Sequence, residues 1–238
     1  MNQRLNIKKF VILLNGKNKD SNIQVISHKF KSTKIENINN DMIYVADGGI
    51  KHFIKIKNKV KNIIWAGDQD SLTKTSKKYL DKYSISNKNR TSQDFYIKDI
   101  LLEKNKNFSD FSVLLDMIFS NNSNSSIFIE VFFGLGGRRD HEMANILEAE
   151  RFISKLPFGG ICYFHGGIII SSLEFEIKKA NKMNFSIFSK SNNSEIEISD
   201  AIYSGHFSLE RPSHGLSNQA CGNTISVKPK SSIISFYF

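Results

Sequence analysis

The chain has only three prolines, two cysteines and one tryptophan in 238 residues, and its 14 glycines follow no repeat. That composition excludes a fibrous class, and 40% hydrophobic residues exclude disorder. Cys162 and Cys221 form neither a metal-ligand spacing nor a C-x-x-C motif, so both are expected as buried, reduced thiols. No apolar run approaches the ~20 residues of a spanning helix, and no membrane segment is expected. The basic start, Met1 to Lys9, resembles the opening of a signal peptide. The apolar run behind it, Phe10 to Leu14, is shorter than the ~7–15 residues such a signal needs, so a cytoplasmic location is expected. No arginine-rich tract interleaves with aromatics. The formal net charge of +10 is therefore read as scattered lysine that helps draw in an anionic nucleotide, and no nucleic-acid partner is expected.

What is present falls into an order. Phe10 to Leu14, Met42 to Ala46, Asn62 to Ala66 and Ile127 to Phe133 read as buried strands. Each ends in turn residues: Asn15-Gly16, Asp47-Gly48-Gly49, Gly67-Asp68 and Gly134 to Gly137. Helical spacing is clearest over 94–104 and 140–156, and residues 121–126 read as a surface loop by composition. Strands alternating with helices imply an open, mostly parallel α/β sheet with ligands beyond the strands' carboxyl ends. From Gly160 onward only short β-like runs follow, at 161–164, 167–170, 185–188, 196–198, 224–227 and 233–236. The expected organisation is an α/β nucleotide- and magnesium-binding catalytic domain over 1–157 and a small all-β sandwich domain over 158–238.

Four segments carry candidate chemistry. Asp68 and Asp70 are two apart in extended chain, so both carboxylates face one way and suit a cation. Asp47 with Gly48 and Gly49 suits either a plain turn or a third ligand of the same cation. Gly136-Gly137-Arg138-Arg139-Asp140-His141 opens a helix, where backbone amides favour phosphate and an arginine can grip its oxygens. Asp140 suits a helix cap equally well, and His141 shares a helix face with Asn145. Asp94 follows Ser92-Gln93 ahead of a helix-like stretch and by itself reads as a helix cap. Asn15-Gly16 joins the set as a strand-end turn. His214 to Asn218 lacks the second glycine of a nucleophile elbow and reads as a hairpin turn or a polar loop against a ligand. Together these segments point to phosphoryl-type transfer from a magnesium-bound nucleotide.

The motifs resemble those of the thiamine pyrophosphokinase family over nearly the whole chain and in order. The family carries Asp-Gly-Gly, here Asp47 to Gly49; Gly-Asp-x-Asp-Ser, here Gly67 to Ser71; and Gly-Gly-Arg-x-Asp-His, here Gly136 to His141, with Asn145 beyond. Its late Gly-Leu-Ser-Asn falls at Gly215 to Asn218, so Ser217 and Asn218 enter the ligand-binding set. The family's Lys-Asp-x-Thr-Asp is placed at Arg90 to Asp94, where only the final aspartate survives. The resemblance implies an enzyme that moves pyrophosphate from ATP to thiamine with magnesium, releasing AMP. It also implies a homodimer whose active site lies between domains of different subunits. On this basis Asp47, Asp68, Asp70 and Asp94 are expected to hold the metal. Asp68, Asp70, Asp94, Arg138 and Asp140 are expected at the reacting phosphates. The departure at 90–94 leaves room for a different heteroaromatic alcohol, such as a pterin-like acceptor, or for a non-catalytic binder.

Overall fold

The structure is a computed structural model, described here for residues 7–17, 24–27, 30–32, 42–56, 60, 62–85 and 95–238. Its first half is built from strands β1 (Ile7–Leu13), β2 (Gln24–Ser27), β3 (Phe30–Lys31), β4 (Met42–Ala46), β5 (Asn62–Gly67), β6 (Tyr96–Leu101) and β7 (Ser126–Phe132). Helices α1 (Ile50–Ile56), α2 (Lys74–Tyr83), α3 (Asp110–Asn122) and α4 (Arg139–Lys155) alternate with them. After α4 come strands and one 3-10 turn: β8 (Gly160–Phe164), β9 (Ile168–Ser171), β10 (Phe175–Lys178), β11 (Asn184–Ser189), β12 (Ser194–Ser199), β13 (Gly205–Leu209), β14 (Asn218–Gln219), β15 (Thr224–Pro229) and β16 (Ile234–Tyr237).

Ten strands form one sheet in the order β14-β11-β16-β9-β8-β7-β1-β4-β5-β6, parallel from β8 to β6 and antiparallel beyond β8. The chain leaves β1 towards β4, β5 and β6, then returns to its other side with β7. The strand order thus reverses at β1, and a crevice opens there beyond the carboxyl ends. The inner parallel strands β4, β5, β7 and β8 are buried on both faces, which is why they read as continuous apolar runs. Ile12, Ile64 and Ile129 face α3 and α4, where Phe111, Leu115, Phe152 and Ile153 pack. Val11, Leu13, Ile63 and Trp65 face the opposite way, onto Ile50 and Phe53 of α1 and Leu80 of α2.

The second sheet, β13-β12-β15-β10-β2-β3, is antiparallel throughout. Val25, Ile177, Ile198 and Val227 from it meet Phe128, Tyr163, Ile169 and Phe236 of the first sheet in one sandwich core. The α/β architecture with a β-rich C-terminal part is as the sequence indicates. Its β-rich strands extend the first sheet through β8, and β2 and β3 from the N-terminal half join the second.

Three local expectations are corrected. The helix expected from residue 94 to 104 is strand β6 from Tyr96, paired in parallel register with β5. Ile97, Ile100 and Leu101 imitate a helical i, i+3, i+4 stripe, but only Ile97 is buried, as on an edge strand. The loop expected at 121–126 is shorter, a turn over 123–125 between the end of α3 and buried Ser126 at the start of β7. Of the two free thiols, Cys162 is buried but Cys221 is exposed.

One charge cluster crosses the first sheet. Glu130 on β7 is fully buried, with Lys9 Nζ of β1 at 2.6 Å and His165 Nε2 at 3.1 Å. Burial alone would raise the Glu130 carboxyl, but His165 and Lys9 outweigh it and hold it below its ordinary range. Removing one partner of such a pair strands the other charge. Lys9→Met is expected to lower unfolding free energy by about 3–5 kcal/mol, and Lys9→Met with Glu130→Gln to recover part of that loss, both read by urea denaturation.

Candidate active site

Glycine brings four chain segments together at the crevice. Gly16 donates its N–H to the Phe133 carbonyl at 2.7 Å, and a Cβ there would lie 2.5 Å from two carbonyl oxygens of the 133–135 segment. At Gly48 a Cβ would strike the Asn15 side chain, and at Gly49 the Leu13 carbonyl, each within about 2.6 Å. The turn after β4 can therefore lie flat on the turn after β1.

Asp47 is the centre of this packing. It is buried, has φ of +22°, and its carbonyl accepts the Trp65 indole N–H at 2.9 Å. Its two carboxylate oxygens accept the N–H groups of Gln69 at 3.0 Å and Ser71 at 2.9 Å. The loop after β5 is thereby folded over the carboxylate. Within it Asp68 Oδ1 accepts the Asp70 N–H at 3.1 Å, and Asp70 Oδ1 accepts the Ser71 hydroxyl at 2.9 Å. One oxygen from each of Asp47, Asp68 and Asp70 lies within 4.8 Å of the others.

Sequence reasoning missed two residues of this cluster. Lys106 Nζ lies 3.1 Å from Asp68 Oδ2 and 3.0 Å from Asp110 Oδ1. Asp110 opens α3, whose cap is the Ser109 hydroxyl accepting the Ser112 N–H at 3.1 Å. A signal was available: Ser109 precedes Phe111, Leu114, Leu115 and Ile118, a capped apolar stripe. Lys106-Asn107-Phe108-Ser109-Asp110 also fits the Lys-Asp-x-Thr-Asp pattern more closely than Arg90 to Asp94 does, with Asn107 for the first aspartate and Ser109 for threonine. Residues 90–94, Asp94 included, lie outside the described residues.

A cavity of about 480 Å³ lies over the cluster. Of the expected residues, Asn15, Gly16, Asp47, Gly48, Asp68, Asp70, Gly137, Arg138, His141 and Asn145 line it. Gly49 and Gly136 (φ +75°) are not in its lining; they pack against Leu13 and Lys17. Asp140 sits in the first turn of α4, paired at 2.5 Å with Arg138, and both are largely exposed. That hydrogen bond brings the Asp140 carboxyl down to about 2. Glu142 accepts the Gly137 N–H at 2.8 Å just ahead of the helix, and the N-cap residue, Arg138, makes no side-chain cap. Asn145 donates to the Gly134 carbonyl at 3.0 Å and fixes the loop after β7.

Ser217 and Asn218 lie elsewhere, in the β-rich part. Asn218 lines a second cavity of about 410 Å³ with Tyr203, Phe207 and Leu216, and the two cavities share no lining residue. Its side chain accepts the N–H groups of Tyr203 and Gln219 and donates to the Tyr203 carbonyl at 2.9 Å, so it shapes the wall. Ser217, at φ of +58°, bonds through its N–H to Ser186 Oγ.

The first cavity is electrostatically loaded. Burial pushes the Asp47 carboxyl up, against the two amides that bind it. Burial also raises Asp110, while Lys106 opposes. At Asp68, burial is outweighed by the Asp70 N–H and by Lys106, and the carboxyl falls below its ordinary range. Asp110 Oδ1 is buried without an aligned hydrogen bond, although the Lys106 ammonium is close. A buried, under-bonded oxygen beside three converging carboxylates is the hard donor set that magnesium takes.

The fold and this crevice define a doubly wound α/β protein with an acidic site at its topological switch point. Residues 33–156 match the thiamin pyrophosphokinase catalytic domain, and the chain belongs to that family of enzymes. It is similar in structure to thiamine pyrophosphokinase from Bacillus subtilis, with TM-score 0.62 at 17% identity over 96% of this chain and 97% of that one. A family protein from Enterococcus faecalis gives 0.65 at 14% identity over the same shares, and the Candida albicans enzyme 0.58 at 15% over 98% and 92%. No curated protein sequence matches the chain.

The site's tightest constraint is at Gly67, where any Cβ would overlap the Asp47 carboxylate. Gly67→Ala is expected to leave a folded protein by circular dichroism but to weaken Mn²⁺ binding at least about tenfold by electron paramagnetic resonance, because Asp47 must turn away.

Proposed function

We propose that this chain, a member of the thiamine pyrophosphokinase family, transfers pyrophosphate from ATP to the hydroxyl of thiamine. The hydroxyl oxygen bonds to the β-phosphorus, the bond from that phosphorus to the α-bridging oxygen breaks, AMP leaves and the hydroxyl proton is lost. The observation that carries the reading is the convergence of Asp47, Asp68 and Asp70 within 4.8 Å at the carboxyl ends of β4 and β5, inside the segment that matches the catalytic domain.

Asp68, Asp70 and Asp110 are assigned as magnesium ligands, with Asp47 holding the loop and adding charge. Asp110 takes the part that the sequence alone gave to Asp94. When bound, magnesium supplies charge neutralisation at the phosphate oxygens. Arg138, on an exposed helix start, is assigned to the same oxygens, displacing its pairing with Asp140. Gly16, Gly48 and Gly137 line the cavity and are assigned to its phosphate-facing wall, where their lack of a Cβ lets the surrounding turns pack closely.

The acceptor is assigned to the aromatic second cavity, between Tyr203 and Phe207. Because the two cavities share no wall in one chain, the reading places thiamine from one subunit against ATP on its partner, in a cytoplasmic homodimer.

Asp68→Ala, Asp70→Ala and Asp110→Ala are each expected to cut AMP release by at least ~100-fold, about 2.7 kcal/mol of transition-state stabilisation, in a coupled assay with ATP, magnesium and thiamine. Near-wild-type turnover in any of the three removes that ligand from the site. AMP release with a pterin-like alcohol but not thiamine overturns the acceptor, and binding of ATP without any AMP release overturns the reaction.

A further inference from the structure

We infer that Lys106 is an internal competitor for the cation, holding the carboxylate oxygens of Asp68 and Asp110 until a polyphosphate draws it away. The inference rests on the reading of this cavity as a metal–polyphosphate site. Asp68 comes from the end of β5 and Asp110 from the start of α3, and the Lys106 ammonium bridges them at 3.1 and 3.0 Å. Its side chain is 10% exposed and lies on the wall of the cavity. Among the described residues it is the one base in an ion pair with any of Asp47, Asp68, Asp70 and Asp110, and it holds two of them.

An ammonium and a divalent ion cannot share these oxygens without repulsion, because both charges would lie within a few ångströms in a partly buried setting. A metal arriving alone must therefore displace Lys106 into water with no new partner. A metal arriving with a polyphosphate brings oxygens that accept the displaced ammonium in charge-assisted hydrogen bonds. Lys106 sits on a flexible stem and keeps its charge in either place, as a transferable point charge must. The residue thus makes metal affinity depend on the anionic co-ligand, and the dependence is reciprocal. It acts as a positioning residue, and its signature is in binding of the metal alone.

The test is Mn²⁺ binding to the full chain by electron paramagnetic resonance, alone and with α,β-methylene-ATP, which cannot be cleaved at the reacting bond. Lys106→Gln is expected to bind Mn²⁺ alone at least about fivefold tighter than wild type, since a repelling charge is gone. The same variant should lose at least about fivefold of the gain in Mn²⁺ affinity that the analogue confers. Lys106→Arg keeps the charge and adds a bidentate fork, so it should bind Mn²⁺ alone more weakly than wild type; it carries the test if Lys106→Gln does not fold. Equal or weaker Mn²⁺ binding by folded Lys106→Gln, or equal or tighter binding by Lys106→Arg, overturns the inference and leaves the proposed function standing. Failure of the wild-type chain to bind Mn²⁺ even with the analogue overturns both.

Discussion

A single buried carboxylate organises the catalytic end of this molecule. Asp47 accepts two backbone N–H groups from the loop after β5 and offers its own carbonyl to the Trp65 indole, so the turn after β4 is tied both to β5 and to the loop that follows it. A buried carboxylate is costly unless hydrogen-bonded, and here the partners are backbone, which cannot swing away. The loop's shape follows. With Gln69 at φ of +69° and Ser71 pinned, Asp68 and Asp70 are directed to the same side of the turn. The acidic cluster is thus fixed from underneath, before any ligand contributes.

The rest of the fold explains why that end is open. Strand order reverses at β1, so the crossovers on its two sides carry α1 and α2 to one face and α3 and α4 to the other. Nothing in the crossover geometry covers the gap between them. On the α3 side the crossover delivers Lys106 and Asp110. On the α4 side it delivers Arg138. The crevice therefore receives Asp47, Asp68 and Asp70 from the strand ends, and Lys106, Asp110 and Arg138 from the approaches to α3 and α4, the mixed charge a metal-bound polyphosphate needs.

Much of this was legible in the sequence for a physical reason. Buried parallel strands leave apolar runs, and strand ends that must approach one another leave glycines, so Asp47-Gly48-Gly49 and Gly67 to Ser71 stood out. Other parts follow long-range pairing that no local pattern encodes. Strand β6 carries Ile97, Ile100 and Leu101 at helical spacing and becomes a strand only because β5 offers it an edge. Strand β2 pairs with β10, far along the chain. Asp110 lies at a helix start embedded among lysines and asparagines, and what marks it is its cap, Ser109, rather than its charge. Asn218, expected at a ligand, lines the second cavity while its side chain is hydrogen-bonded to the backbone of Tyr203 and Gln219.

The strained positions complete the argument. Asp47, Gln69 and Phe133 all have positive φ without being glycine, and they follow β4, β5 and β7 at the crevice. Such conformations cost of order 1–3 kcal/mol each and persist only where surroundings over-determine them. Here the surroundings are identifiable. Phe133 stacks on His52 with ring centroids 3.6 Å apart, and burial drives that imidazole down to about 4, leaving a neutral ring that behaves as a flat apolar surface near neutral pH. Asp47 is held by three hydrogen bonds. Behind both lies Trp65, fully buried between α1 and α2. A more relaxed set of turns would leave the strand ends farther apart and the carboxylates diverging. The apolar layer beneath the sheet therefore acts at a distance on the chemistry: its packing is what keeps strained backbone, and the acidic groups attached to it, in one arrangement.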